Sequence, residues 1–249
     1  MSELRIGVVG RGRLGTALSD ALRAAGRDVS GPVGRGEVPA ADVIVLCVPD
    51  AEISAAAAAV ADAAPLVGHT SGATGLAALE PAGADGRFGI HPLQTFSGSP
   101  RDAERFRGCR CAVGGTSADA LDAALGIARS LGTEPFELSD EQRPAYHAAA
   151  SIASNFLVAL EAAAEEVAAG AGLDPAEARA ALAPLVRATV DNWAALGPEG
   201  ALTGPVARGD ELTVAAQREA VRAVAPQLEE LFDVMVERAR VLARQEVTA

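Results

Sequence analysis

Lysine is absent from the sequence of 249 residues, so all 21 basic residues of the Lys and Arg count are arginine. Without a lysine amine the chain cannot form a Schiff base with a carbonyl substrate, and any mechanism that needs a catalytic lysine is excluded. Aromatic residues are also scarce, at 3% of the sequence. A hydrophobic core built mainly from Ala, Leu and Val favours helices that pack closely together.

Positive charge is in deficit, and the formal net charge is −12 at pH 7. An acidic surface repels nucleic acid and anionic membranes, so we expect neither as a partner.

The sequence has only three cysteines and three histidines, without the ligand spacing of a zinc site, and we expect no metal. Convergence of the three histidines on one metal ion is the less favoured alternative. No secretory signal pattern and no apolar run of about 20 residues is found, which predicts a cytoplasmic protein.

A glycine pattern near the start of the chain carries the strongest functional signal. Gly10, Gly12 and Gly15 follow the apolar run Arg5–Val9 and open an amphipathic, alanine-rich stretch. Strand, glycine-rich turn and helix in this order are typical of a dinucleotide-binding site, where the glycines permit the turn, the approach of the pyrophosphate and close helix packing. The N–H groups at the start of the helix bind phosphate. The residues that we predict at this turn are Gly10, Gly12, Arg13, Leu14 and Gly15.

Strand and helix patterns alternate through the first half of the chain. The predicted strands are Arg5–Val9, Asp28–Val33, Val43–Val48, Leu66–Thr70, Phe88–His91, Cys109–Val113 and Glu134–Phe136. This alternation predicts an α/β fold, with a doubly wound parallel sheet in a Rossmann domain over residues 1–138.

From residue 139 to 249 the pattern is helical, and we predict an all-helical domain for substrate binding and dimerisation. One long helix is expected over Pro144–Gly170. The next begins at Asp174-Pro175, because Asp is a good N-cap and Pro suits the first helical position, and it runs to about Leu196. After a glycine- and proline-rich loop, a last helical segment follows with a reset at Pro226.

The end of the second predicted strand bears on the choice of dinucleotide. An NAD site has Asp or Glu there to bind the ribose hydroxyls, whereas this segment has no acidic residue and has Arg35 near the expected place. An arginine at this position suits the 2′-phosphate of NADP, and Arg11 and Arg13 add positive charge. The sequence therefore favours NADP over NAD. The alternative is that Arg35 is an ordinary solvated loop residue.

Each of the three histidines lies in a polar or glycine-rich motif. His69 and His91 each come at the end of a predicted strand, where the ligand crevice of an open α/β sheet lies. His147, Ser151 and Asn155 follow at a spacing of four residues and form one polar stripe on an apolar helix. Because a buried polar stripe without partners is costly, it indicates a ligand, water or a protein partner. The alternative for each histidine is a hydrogen-bonded structural role.

The chain resembles a known family of bacterial Rossmann-like proteins over essentially its whole length. The shared segments are the glycine turn, Val48-Pro49-Asp50, Gly68–Gly72, His91-Pro92-Leu93 and Thr203–Asp210. The C-terminal domain of that family is catalogued as a domain of unknown function, and the family belongs to the 6-phosphogluconate dehydrogenase-like superfamily. Its relatives include ketopantoate reductase, pyrroline-5-carboxylate reductase, prephenate dehydrogenase and the β-hydroxyacid dehydrogenases. The resemblance implies a Rossmann domain followed by a helical domain that forms a homodimer and closes over the cofactor cleft.

The resemblance does not fix a substrate. Ketopantoate reductases have a lysine four residues before an asparagine in the first long helix, whereas this chain has Ser151 before Asn155. His147, one turn earlier, is the candidate replacement. Prephenate dehydrogenases have a substrate-contacting histidine before a proline, which His91-Pro92 resembles.

On this basis the sequence predicts an NADP-dependent reductase of a small carboxylate-bearing 2-keto acid or imine. His is the side chain best suited to donate a proton near neutral pH, and Arg is suited to clamp a carboxylate. The predicted catalytic residues are His91, His147, Ser71 and Asn155, the predicted substrate contacts are His69, Thr70, Ser151 and Arg208, and Arg35, Val48 and Pro49 join the cofactor site. A non-catalytic NADP-binding sensor or interaction protein, and a reductase that uses a deazaflavin, are the alternatives.

Overall fold

The computed structural model describes residues 4–246 of the chain. Two compact units divide between Ser154 and Asn155. The helix Arg143–Ala153 belongs to the first unit, whereas the sequence pattern placed it after a boundary predicted between residues 138 and 139.

One mixed sheet forms the centre of the first unit. Its strands are β1 (Ile6–Val9), β2 (Val29–Val33), β3 (Val43–Leu46), β4 (Leu66–His69), β5 (Gly86–Pro92), β6 (Arg110–Gly115) and β7 (Glu134–Glu137). They lie in the order β2-β1-β3-β4-β5-β6-β7. The first five run parallel, which confirms the predicted α/β fold class.

The expectation of a wholly parallel sheet is wrong at one edge. Strand β6 is antiparallel to β5, and β7 is parallel to β6, so the last two strands run against the first five. The connection between β5 and β6 contains only a short 3₁₀ turn, Asp102–Phe106, and no crossover helix. A parallel neighbour would need a longer crossover, usually an α-helix.

Helices cover both faces of the sheet. They are α1 (Arg13–Ala24), α2 (Ile53–Ala59) and α3 (Ala118–Ser130), and a fourth helix, α4 (Arg143–Ala153), ends the unit. In β3, Val43 and Val45 join the hydrophobic cluster that contains α1 and α3, while Ile44 and Leu46 join the cluster that contains α2. All four side chains are buried, and each contributes about 1.5–3 kcal/mol of hydrophobic stabilisation.

The second unit is helical, as predicted. Its helices are α5 (Asn155–Ala168), α6 (Pro175–Ala201), α7 (Glu211–Val224) and α8 (Glu229–Glu246). The predicted start at Asp174 is confirmed, because its carboxylate accepts hydrogen bonds from the N–H groups of Ala176 and Glu177 at 2.8 and 2.9 Å. Helical geometry is interrupted at Gly197, next to the predicted end.

The predicted single helix over Pro144–Gly170 is wrong in one respect. The backbone leaves helical geometry at Ser154, with φ −120° and ψ −67°, and this residue separates α4 from α5. By length and composition alone, Arg143–Ala171 is apolar enough to cross a membrane, contrary to the expectation that no segment would be. A single interrupted stretch of this kind is weak evidence for a membrane span, and the cytoplasmic location stays a prediction.

Large apolar side chains are exposed on the helices of the second unit. They include Phe156, Val158, Leu185, Trp193, Leu196 and Val234. Exposed apolar surface of this kind commonly marks an interface, which agrees with the expected homodimer. The homodimer itself stays a prediction.

Candidate active site

The glycine turn between β1 and α1 has the geometry of a nucleotide-binding turn. Gly10 has φ +116°, which side chains rarely permit, and a Cβ on it would lie 2.1 Å from the carbonyl oxygen of Cys47. A Cβ on Gly15 would lie 2.0 Å from the carbonyl oxygen of Gly10. A Cβ on Gly12, in contrast, would meet nothing within 4 Å. Two of the glycines are therefore required by packing within the protein, and the third borders open space.

The first turn of α1 is free to receive an anion. Gly12 is the N-cap, no side chain caps the helix, and the first turn has no acidic residue. The first N–H groups of a helix have no partner within it and carry partial positive charge. The predicted residues Arg13 and Leu14 contribute two of these N–H groups, and the first helical hydrogen bond joins the N–H of Thr16 to the carbonyl of Gly12 at 3.0 Å.

A cavity of about 650 Å³ adjoins this turn at the carboxyl ends of β1, β2 and β3. Its lining includes Gly10, Gly12, Arg11, Arg35, Val48 and Pro49. The predicted cofactor residues on three successive strand ends are thus brought to one cavity, where Pro49 precedes the 3₁₀ turn Asp50–Glu52. This is the position at which doubly wound folds bind nucleotides.

Two arginines of this cavity are held by carboxylates. Arg35 is 84% exposed and lies 2.5 Å from Glu52. Arg11 reaches the end of β2, where its guanidinium lies 2.9 Å from Glu37 and donates to the carbonyl of Pro32 at 3.4 Å. Exposed pairs of this type are worth at most about 1 kcal/mol, so a phosphate can compete for either guanidinium.

The turn after β4 is ordered by side chains that the sequence assigned to substrate binding, His69 and Thr70, and to catalysis, Ser71. The imidazole Nδ1 of His69 accepts a hydrogen bond from the N–H of Ser71 at 3.2 Å. The hydroxyl of Ser71 accepts from the N–H groups of Ala73 and Thr74 at 3.1 and 2.9 Å. Thr70 donates its hydroxyl to the carbonyl of Leu46 at 3.4 Å. These polar groups hold the backbone of the turn in place.

His69 itself is fully buried behind this turn. Burial, with a smaller effect from Arg143, lowers the pKa of its imidazole to about 4, so the ring is neutral at pH 7. Its Nε2 has no hydrogen-bond partner within the described part of the chain, although the backbone of Gly75 lies close enough to affect its pKa. The substrate contact predicted for His69 stays a prediction, and the geometry gives the ring a structural role.

Arg143 links the turn to helix α4. Its side chain is 2% exposed, its Nε donates to Asp140 at 2.7 Å, and its Nη1 donates to the carbonyl of Ser71 at 3.2 Å. Asp140 in turn accepts from the N–H of Leu76 at 2.8 Å. The buried guanidinium of Arg143, together with Asp140, therefore fixes the start of α4 relative to the turn after β4.

Helix α4 brings His147 next to His91 at the end of β5. The two imidazole centroids are 6.2 Å apart, and the Nδ1 of His91 lies 2.7 Å from the hydroxyl oxygen of Tyr146. A Cβ on Gly72 would lie 2.8 Å from the Cε1 and Nε2 atoms of His91 and 3.0 Å from the Cδ2 of His147. The two predicted catalytic residues His91 and His147 therefore both lie against Gly72 in the ordered turn after β4.

The environment of His91 keeps it uncharged. Burial, followed by the nearby His147 and Arg143, lowers its pKa to about 4. Burial also raises the pKa of Tyr146 to about 12, so the phenol keeps its proton at pH 7. A neutral imidazole beside a neutral phenol can donate a hydrogen bond to a substrate without giving up its proton.

Three further predicted site residues are Ser151, Asn155 and Arg208. Ser151 is half-buried one turn after His147 on α4, and no hydrogen bond of its hydroxyl occurs among the described residues. Asn155 is exposed at the start of α5 in the second unit. Arg208 is exposed in the loop before α7, and its charge helps to lower the pKa of Asp210. Roles in catalysis or substrate binding stay predictions for all three.

Sequence reasoning missed Arg143, Asp140 and Tyr146 as parts of this site. An arginine at the start of a helix has the same sequence signature whether it is buried or solvated. Tyr146 precedes His147 directly and is the only tyrosine of the chain, which could have drawn attention to it. No cluster of three or more His, Cys, Asp or Glu side chains suited to a metal occurs within residues 4–246.

Fold and site together define a Rossmann-type protein with a nucleotide-binding turn and a pair of histidines beyond it. The chain belongs to the DUF2520 family, described as a domain of unknown function, and the family model matches residues 109–239. This match agrees with the expected resemblance to a family whose C-terminal domain has no assigned function. No curated protein matches the chain.

Similar solved structures confirm the fold. A proposed NADP oxidoreductase from Bacteroides fragilis is similar with a TM-score of 0.78 and 21% identity, over 96% of this chain and 98% of that one. Protein TM1727 from Thermotoga maritima has a TM-score of 0.77 and 26% identity, over 97% and 99%. Pyrroline carboxylate reductase from Plasmodium falciparum, solved with NADP bound, has a TM-score of 0.60 and 11% identity, over 98% and 99%.

Proposed function

We propose that this protein is an NADP-dependent reductase of a small carboxylate-bearing 2-keto acid or imine. One observation carries the proposal: the open glycine turn and His91 both lie at carboxyl ends of strands of the same sheet, and helix α4 places His147 beside His91. The strands β1 to β5 are parallel, so their carboxyl ends share one edge. The similar structures that are named as NADP oxidoreductase or solved with NADP support the choice of cofactor.

The residues of the cavity fit NADP. The space beside Gly12 and the uncapped N-terminus of α1 suit the pyrophosphate. Arg11, whose guanidinium reaches from the glycine turn to the end of β2, and Arg35, which follows β2, suit a 2′-phosphate. Val48 and Pro49 would line the wall of the cavity on the side of the nicotinamide ribose.

The two histidines divide the work of the proposed reduction. When bound, reduced nicotinamide supplies a hydride to the carbonyl or imine carbon. His91, neutral at pH 7, polarises the acceptor through a hydrogen bond. His147, for which no hydrogen bond occurs within residues 4–246, is the group left to deliver a proton to the oxygen or nitrogen.

A substrate panel tests the proposed activity. The purified protein is mixed with NADPH and with a set of 2-keto acids and cyclic imine carboxylates, and the loss of NADPH absorbance is followed. We expect turnover with at least one class. Tight binding of NADPH without turnover on any member would contradict the reductase and favour the alternative of an NADP-binding sensor.

The arginines at the end of β2 allow a test of cofactor choice. Replacing Arg11 or Arg35 by alanine removes a cation that pairs with the 2′-phosphate, so we expect the Kd for NADPH to rise about tenfold, or ~1.4 kcal/mol. The Kd for NADH should change less than about threefold, since NADH lacks that phosphate. Isothermal titration calorimetry of the wild type and both variants with each nucleotide measures these constants.

Arg129→Ala is the matched control, because Arg129 is exposed on α3 and does not line the cavity. It should leave both constants unchanged. Tighter binding of NADH than NADPH, weakened by Glu37→Ala and indifferent to Arg11→Ala and Arg35→Ala, would overturn the assignment. In that case the carboxylate of Glu37 would serve the ribose hydroxyls of NAD instead.

A further inference from the structure

Within residues 4–246, Tyr146 is the one side chain that hydrogen-bonds to the proposed active-site histidine His91. Its hydroxyl oxygen lies 2.7 Å from Nδ1, and the two rings meet edge to face with centroids 5.4 Å apart. Its ring also contacts Phe136 of β7 at a centroid distance of 5.9 Å, and the guanidinium of Arg110 lies over that Phe136 ring at 5.1 Å. The phenol is therefore held on both sides, and its hydroxyl is aimed at one nitrogen.

The direction of this hydrogen bond follows from the groups around it. A phenol that makes a single hydrogen bond must be the donor, because otherwise its own O–H proton has no acceptor. Within the described part of the chain, the hydroxyl of Tyr146 has His91 as its hydrogen-bond partner and no second acceptor. Were Nδ1 the donor, the phenol proton would be left without an acceptor at a half-buried position, which is costly. Donation from Tyr146 to Nδ1 is the arrangement that satisfies both groups.

With Nδ1 accepting, the proton of the neutral ring lies on Nε2. The Nε2 edge adjoins Gly72, where a Cβ would lie only 2.8 Å away. The ring packs against Gly72 at a distance that only a residue without a side chain permits, and His91 as a whole is half-buried. The second imidazole, His147, borders the same point, with its Cδ2 3.0 Å from the position of that Cβ.

We propose that Tyr146 is a positioning residue that fixes His91 as the neutral Nε2–H tautomer, and that this selects a 2-keto acid over an iminium substrate. An Nε2–H group is a hydrogen-bond donor, so it needs an acceptor on the substrate. A ketone oxygen has lone pairs that accept. A protonated imine nitrogen has none and carries positive charge. The selection of substrate rests on the proposed reductase function, whereas the tautomer of His91 does not.

The tautomer can be measured without any substrate. The chain has three histidines, so ¹⁵N-labelled protein gives three sets of imidazole signals in a long-range ¹H–¹⁵N spectrum, and His91→Gln identifies the set of interest. At pH 7 we expect the Nδ1 of His91 to be unprotonated and its Nε2 to carry the proton. In Tyr146→Phe we expect a mixture of both tautomers. A protonated Nδ1 in the wild type, or an unchanged tautomer in Tyr146→Phe, would refute the proposal.

Kinetics then separate positioning from folding. Tyr146→Phe keeps the ring and its contact with Phe136, so we expect an unchanged melting temperature, an unchanged KM for NADPH and a kcat lowered by about tenfold or more. Phe136→Leu is the control, since it disturbs the ring contact and keeps the hydroxyl, and it should leave the tautomer intact. On the substrate panel, 2-keto acids should be reduced, whereas cyclic imines assayed at a pH where their nitrogen is protonated to the iminium ion should not. Preferential reduction of imines would refute the substrate selection while supporting the reductase function, and binding of NADPH without any turnover would refute the reductase while the tautomer result stood.

Discussion

Replacing His147 by alanine should lower kcat on the substrate that the panel identifies by about 10²–10⁴-fold, the usual contribution of a positioned general acid. The Kd for NADPH should stay within about twofold, because His147 lies on α4 beside His91 and does not line the cavity at the glycine turn. The loss has a simple physical cause. Without this imidazole, the proton for the reduced oxygen must come from water. Steady-state kinetics and calorimetry on the same preparation measure both effects.

Two further variants test whether the loss of kcat comes from the loss of the proton donor. His147→Gln keeps a polar side chain but cannot exchange a proton near pH 7, and it should be as defective as the alanine variant. Glu141→Gln, at an exposed position just before α4, should behave as the wild type. If both His147 variants kept full turnover, His147 would have no role in proton transfer. His91, whose neutral state suits hydrogen bonding more than proton donation, could not simply replace it.

The sheet could be predicted from the sequence to the extent that burial dictates it. Apolar runs such as Val43–Leu46 identify strands, because a strand with both faces covered has no solvent-facing position. The direction of β6 could not be predicted in this way. The apolar pattern of a strand is the same whether the strand pairs parallel or antiparallel with its neighbour. The direction depends on whether the preceding connection crosses over the sheet, and the sequence before Arg110 does not indicate this.

The candidate site, like the sheet, could be predicted from the sequence only in part. The glycine turn was predictable because backbone geometry and close contacts demand glycine at two of its three positions. The pairing of His91 with His147 was not, since it depends on how α4 packs against the end of β5. The break at Ser154 was missed for the same reason: alanine-rich sequence continues through it without a proline or glycine. What sets the helix position is the hydrogen bond from Arg143 to the carbonyl of Ser71 and that from the N–H of Leu76 to Asp140. These contacts join residues that are 72 and 64 positions apart, so they leave no periodic pattern in the sequence.

Gly12→Ala should leave the fold intact and weaken NADPH binding by about 10- to 100-fold, or ~1.4–2.8 kcal/mol. The added methyl group would meet no protein atom within 4 Å, and the backbone at φ −73° and ψ −179° suits alanine. We therefore expect the free energy of unfolding to change by less than about 0.5 kcal/mol. The same methyl group would occupy the space in which the pyrophosphate approaches the backbone. We therefore expect the substitution to weaken NADPH binding and to leave the free energy of unfolding nearly unchanged.

Two other glycines provide the contrast that makes the result interpretable. Gly126→Ala adds a methyl group to open space inside α3, so it should stabilise the helix by about 0.5–1 kcal/mol and leave NADPH binding unchanged. Gly15→Ala would place a Cβ 2.0 Å from the carbonyl of Gly10, so it should destabilise the fold as well as impair binding. Calorimetry with NADPH and chemical denaturation of all three variants give the comparison. Wild-type affinity in a stable Gly12→Ala protein would mean that no pyrophosphate lies against this turn, and the proposed cofactor site would have to be abandoned.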